Sequence, residues 1–242
     1  MCDHSTFRMK RSSIERSAME VLYEDNHIIA VNKKSTELVQ GDKTGDEPLS
    51  DRVKAYLAHK YHKPGNVFLG VVHRIDRPVS GVVLFARTSK SLGRLNKMFQ
   101  EKQVSKKYLA VVRNKPPAED GQLFNYLRKN EKQNKSYAFD KQVKGSKEAL
   151  LSYRLLNRTD RYYLIEIDLH TGRHHQIRCQ LANAGCPIKG DLKYGYTRSN
   201  NDGSISLHAW KLLFSHPVKD KEMELIAPIP SNDIWSSIRQ II

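Results

Sequence analysis

Asp76 stands in the run His73-Arg74-Ile75-Asp76-Arg77-Pro78-Val79-Ser80-Gly81, with an arginine on each side and a proline two residues on. A carboxylate in that setting has two uses. It can cap the turn by accepting a backbone N–H two residues ahead. Or it can act as a nucleophile or a base, and both of those roles need it ionised. Burial in a cleft favours the protonated form, whereas a cation a few ångströms away favours the charged one by roughly 1–3 pKa units. A second concentration of reactive side chains is Leu169-His170-Thr171-Gly172-Arg173-His174-His175-Gln176-Ile177-Arg178. On a helix His174 and Arg178 are one turn apart, so both can face one cleft. Tyr108, behind Lys106-Lys107, is a third polar group of interest, although spacing alone makes it a half-buried strand tyrosine.

Other chemistries fit less well. His170, His174, His175 and Cys179 are metal-ligand types, but no HExxH is present, and adjacent His174 and His175 would point to different sides of a helix, so no metal site is expected. There is no GxxxxGK[ST] phosphate loop and no GxGxxG fingerprint, which argues against a nucleotide cofactor. A glycosidase would need a second carboxylate. Asp168 and Asp191 are available, but neither has a local setting that marks it as a partner of Asp76.

The elements that must hold these groups follow from periodicity. Apolar β-branched runs at 67–72 and 82–86 read as buried strands, which puts Asp76 on the connection between them. Residues 21–23 and 28–31 read as a hairpin around the turn at 24–27. A short helix follows from Ser50, with Val53, Leu57 and Tyr61 on one face. Thr88 or Ser89 can cap a second helix whose Leu92, Leu95, Met98 and Phe99 share a face. Along 104–112 the strand pattern sets Tyr108, Ala110 and Val112 opposite Leu109 and Val111. Four more strand-like stretches lie around 123–127, 136–139, 149–156 and 162–169, with a charged turn at 129–135. A helix over 174–184 ends at Gly185, strands follow at 207–214 and 223–227, and a helix at 234–241 closes the chain. Successive strands of this kind favour an α+β fold, a mixed, mainly antiparallel central sheet with flanking helices, over a doubly wound one.

Taken in order, the Asp76 motif, the Tyr108 strand and the Arg178 motif resemble the RluA-type family of RNA pseudouridine synthases. In that family the first motif has the form HRLDxxTSG, the middle one carries a tyrosine followed by a strand, and the third has the form TGRxHQIR. The resemblance runs from about Val21 to Phe214. Ile75 replaces the usual leucine, Val79 the usual threonine, and His174 stands where many members have threonine or serine. The resemblance implies the pseudouridine synthase catalytic domain and an activity on uridine in RNA: the glycosidic C–N bond breaks, the base turns, and it rejoins through carbon. No cofactor or metal is implied. Asp76 would attack ribose C1′ or remove the C2′ proton, Arg178 would pair with Asp76, and Tyr108 would lie against the base and help take the C5 proton. Arg74 would enter the RNA stack as the nucleotide is extruded, and Arg77, Arg173 and His174 would contact RNA. Relatives often carry an extra basic module ahead of this domain. Too few residues precede Val21 to hold one here, so target choice would rest on the domain surface or on residues 1–20, a basic, loosely ordered arm.

Composition agrees with an RNA partner. The 242 residues suit one catalytic domain, over 21–242, and 41 Lys+Arg against 26 Asp+Glu give a formal charge of +15. Such an excess attracts phosphates of any sequence, so it does not distinguish rRNA from tRNA. A mean hydropathy of -0.61 and the lack of a long apolar run argue against a membrane span, and three cysteines without metal-type pairing read as reduced thiols. The expectation is a cytoplasmic, monomeric enzyme. The competing reading is a catalytically weak RNA-binding or assembly factor on the same fold.

Overall fold

The computed structural model describes residues 19–42, 44–231 and 234–238. The expected basic arm thus lies almost wholly outside the described residues. The hairpin is present as β1 (Glu20–Glu24) and β2 (Ile28–Lys33), and it is followed by α1 (Leu49–Lys60), β3 (Gly70–Val71), β4 (Ser80–Ala86) and α2 (Ser89–Gln100). Next come β5 (Ser105–Val112), β6 (Asp120–Asn130), β7 (Lys135–Phe139), β8 (Lys147–Arg158) and β9 (Tyr163–Leu169). Then α3 (Gln176–Asn183), a single 3-10 turn at Leu192–Tyr194, β10 (Leu207–Ser215), β11 (Glu222–Ile226) and α4 (Ile234–Ile238) complete the described chain. The last residues of the expected closing helix are outside it.

These strands make one mixed sheet in the order β1-β2-β4-β10-β5-β9-β8-β6-β7, with β11 added to β10 and β3 to β4. Every pairing is antiparallel except β4 with β10, where Ser80 meets His208 and Gly81 meets Ala209. That one close parallel contact needs a glycine: Gly81 has φ +121, and a Cβ there would run into the Ala209 backbone.

Side-chain alternation on β5 is as expected. Ala110 and Val112, with half-buried Tyr108, join the main core, whereas Leu109 and Val111 join a smaller one closed by Trp235 and Ile238 of α4. Thr88 caps α2, its Oγ1 accepting from Ser91 N at 3.1 Å. On α1, Val53 and Leu57 are buried, while Tyr61 falls just past the helix end and is exposed.

Two further expectations are corrected. The run 67–72 forms only the two-residue β3, because the edge of β4 it would use is shared. β10 takes Ser80 and Gly81, β3 takes Phe85 and Ala86, and between them the Leu84 N–H is given to His73 Nε2 at 3.0 Å. The third helix begins at Gln176 rather than His174. His175 is its N-cap in a left-handed conformation (φ 52, ψ 29), and Gln176 Oε1 accepts from Arg173 N at 3.0 Å, closing a turn where a first helical turn was expected. His174 and His175 therefore do not diverge around a helix but stack, with ring centroids 3.7 Å apart.

Candidate active site

Asp76 sits on a turn tied down at every carbonyl. Val79 N donates to Asp76 O at 3.0 Å, Ile205 N to Pro78 O at 3.1 Å, and Thr36 N to Arg77 O at 2.8 Å. Ile75 and Val79, buried on either side, anchor the turn in the core. A fully buried lysine adds to this. Lys33 Nζ donates to Lys34 O, Glu37 O and Arg77 O at 2.8–3.1 Å, joining the loop after β2 to the residue next to Asp76. Burial pulls the Lys33 ammonium down to about 7, against the opposing pull of Glu37 and Asp76.

The side chain of Asp76, 28% exposed, does not cap its own turn. Its Oδ2 accepts from Arg178 Nη1 at 3.1 Å. Arg178 is in the first turn of α3, which is glued to the sheet by two buried glutamines one turn apart. Gln176 Nε2 donates to Leu150 O, and Gln180 Nε2 to Leu123 O, Asn125 Oδ1 and Ala149 O. From its far side Arg178 is held by Asp191, which is 1% exposed: Nε to Oδ2 at 2.7 Å and Nη2 to Oδ1 at 2.8 Å. Although burial opposes the charge, these two carboxylates raise the guanidinium above its ordinary pKa, so Arg178 is a fixed cation. The Tyr194 ring covers it, with the guanidinium carbon 5.1 Å from the centroid.

His175 Nε2 lies 3.6 Å from Asp76 Oδ2. This is no second ion pair, because burial first and Arg178 next depress His175 to about 2 and keep the imidazole neutral. Its Nδ1 is paired with Tyr194 Oη at 3.0 Å, the same oxygen that accepts from Ser136 N. Tyr108 comes up from β5 on the same side of the sheet. Burial, helped by the negative charge of Asp76, raises its phenol, and its hydroxyl has no hydrogen bond among the described residues. A carboxylate, the fixed guanidinium bonded to it and an uncommitted phenol thus meet at one place.

Residues 27–183 match the family model described as RNA pseudouridylate synthase. The chain belongs to that family. It is 34% identical over 213 residues to the ribosomal large subunit pseudouridine synthase C of Rickettsia bellii, covering 87% of this chain and 68% of that one. To the tRNA pseudouridine synthase C of Pasteurella multocida it is 31% identical over 232 residues, covering 87% and 91%. Among solved structures, human RNA pseudouridylate synthase domain containing 4 has the same fold, with a TM-score of 0.75 at 22% identity over 91% of this chain and 92% of that one.

In this RNA pseudouridine synthase the three residues expected to be catalytic, Asp76, Tyr108 and Arg178, are brought to one site, whereas the expected RNA contacts are spread around it. Arg74 is exposed beside Gln40 at 3.5 Å. Arg77 is engaged by the loop after β2, through Thr36 O at 3.0 Å and Asp46 at 2.7 Å. Arg173 Nε donates to Glu148 O at 2.8 Å, and His174 is fixed between Ser136 and Asn134. Sequence reasoning missed Asp191, Lys33, His175 and Tyr194. In the sequence Asp191 reads only as an available second acid, and nothing local marks it as the holder of an arginine.

Asp76 lines neither of two concavities, about 490 Å³ beside Lys54 and Gly65 and about 320 Å³ near Asn32 and Trp235. Side-chain chemistry rather than volume marks the site. No group of three or more His, Cys, Asp or Glu that could hold a metal occurs among the described residues, and none of their helices is long and apolar enough to cross a membrane.

Proposed function

We propose that this enzyme converts a uridine of rRNA or tRNA to pseudouridine, with the Asp76 carboxylate acting on the ribose of a nucleotide swung out of the RNA. Both RNA classes appear in the names of its relatives. The observation that carries the reading is the chain Asp76–Arg178–Asp191, in which a buried arginine is locked so that one nitrogen faces the reactive carboxylate. Asp76 loosens the glycosidic bond by attack at C1′ or by removal of the C2′ proton, the freed uracil turns, and C5 rejoins C1′. The proton on C5 is then lost and N1 gains one, so neither an electron acceptor nor a phosphoryl donor enters the balance. Tyr108 packs on the base and assists the C5 proton transfer. Arg74, exposed next to the turn, takes the space left in the RNA. Arg77, Arg173 and His174 line the approach, and the enzyme works as a cytoplasmic monomer.

RNA tritiated at uridine C5 provides the test, since each turnover releases one tritium to water. Release is expected from total rRNA or total tRNA, and Asp76→Asn should abolish it while leaving RNA retention on a filter unchanged. No release from either RNA pool by the wild-type protein would sink the proposal and favour an RNA-binding factor on this fold.

A further inference from the structure

β6, β7 and β8 turn one face to α3 and the other to solvent. Leu127, Ala138 and Ala149 belong to the α3 side, where they pack with Cys179 and Tyr194. Since paired residues share a face, Tyr126 with Phe139 and Arg128 with Tyr137 lie on the opposite side, with Phe124 two residues along the same strand. These four rings belong to no core cluster, and Phe124 and Tyr137 are 50% and 40% exposed. They are nonetheless ordered against one another. Phe124 and Tyr126 meet edge to face at 5.4 Å, and the Arg128 guanidinium lies 5.1 Å from the centre of the Phe139 ring.

Large apolar rings on an open strand face cost solubility and invite aggregation, so their presence calls for a partner. Charge indicates which. Residues 124–148 hold Arg128, Lys129, Lys132, Lys135, Lys141, Lys144 and Lys147 against Glu131, Asp140 and Glu148. Glu148 is on the ring face itself, opposite Tyr126. Aromatic rings interleaved with cations on an antiparallel sheet suit unpaired bases, which stack on the rings while phosphates meet the lysines and arginine. A duplex hides its base faces and offers nothing to stack. The platform faces away from α3, and the β6–β7 turn joins it to the site: Asn134, next to β7, is bonded to His174, whose ring lies on His175 beside Asp76.

We infer that the solvent face of β6 and β7 is a second RNA-binding surface, on which Phe124, Tyr126, Tyr137 and Phe139 with Arg128 stack a single-stranded stretch of the substrate outside the catalytic cleft. The inference rests on the proposed RNA substrate, and it supplies a source of target choice within the domain itself.

A fluorescein-labelled 20-nucleotide oligocytidylate, which has no uridine to convert, is titrated with the full-length protein and followed by anisotropy. The Phe124→Ser/Tyr137→Ser double variant should bind it at least about tenfold more weakly, given the usual contribution of one stacked base, and Phe124→Tyr/Tyr137→Phe should restore binding. Asp76→Asn should bind as wild type does. A double variant that keeps the wild-type unfolding midpoint and full oligocytidylate affinity overturns the inference. So does one that changes only the sedimentation of the protein, which would make the patch a contact between copies. Tritium release by the wild type, measured separately, reports on the enzyme reading: release with unchanged oligonucleotide binding leaves that reading standing and removes the platform, and lost binding without release does the reverse.

Discussion

Asp191 grips Arg178 through Nε and Nη2, at 2.7 and 2.8 Å, leaving Nη1 for Asp76. The fork of a guanidinium is planar, so fixing two of its nitrogens fixes the direction of the third. Arg178 is therefore aimed rather than merely charged.

Removing the grip should disturb both fold and chemistry. Asp191→Ala leaves a buried guanidinium short of a partner, and the expected loss is about 3–5 kcal/mol of unfolding free energy, read from urea denaturation. Asp191→Asn, which can still accept from one nitrogen, should fold better yet release tritium more slowly than wild type. Asp191→Ala with wild-type stability would show that the pair carries no load.

Arg178→Lys keeps the charge and loses the fork. One ammonium cannot satisfy Asp191 and Asp76 at the same time in this geometry, so turnover should fall on the order of 100-fold, the scale of a misplacement of about 1 Å. The fall should appear in kcat rather than KM, measured by tritium release over a range of RNA concentrations.

Lys33→Met tests the lysine that ties the loop after β2 to Arg77. Three backbone carbonyls would lose their shared donor, and the side chain is fully buried, so about 1–3 kcal/mol of stability should be lost. Hydrogen exchange should rise at 34–37 and 76–79 first, and a uniform rise across the sheet would contradict the local role.

Acid should weaken the fold before the carboxylates titrate. Burial holds His175 at about 2 and His73 and His208 at about 4. Each folded value is below the ordinary 6.5 of an unfolded histidine. As the pH falls through 6.5 the unfolded chain takes up protons that the folded chain refuses, so stability present at pH 7 is lost towards pH 4.5. The slope contributed by each such histidine is up to about 1.4 kcal/mol per pH unit. Urea midpoints at pH 7.0, 5.5 and 4.5 measure it, and a flat profile over that window would show that these rings protonate freely in the native state.

Much of this molecule was legible in its sequence because much of it is periodic. The alternation on β5, the Thr88 cap and the succession of antiparallel strands depend on residues within a few positions of each other, and a backbone of fixed geometry turns that spacing directly into a face or a cap. The motifs around Asp76, Tyr108 and Arg178 were equally readable as sequence. The fold brings Asp76 and Arg178, 102 residues apart, to 3.1 Å, the pairing that the family resemblance implied and that no local spacing could show. It also gave Asp191 the task of aiming the arginine, shortened the run at 67–72 to two paired residues, stacked His174 on His175, and left four rings of β6 and β7 outside every core, two of them exposed. Which strand edges remain free, and which charge a buried arginine finds beside it, depend on the order in which distant segments pack. That order is set by the whole sheet, so no local stretch of residues encodes it.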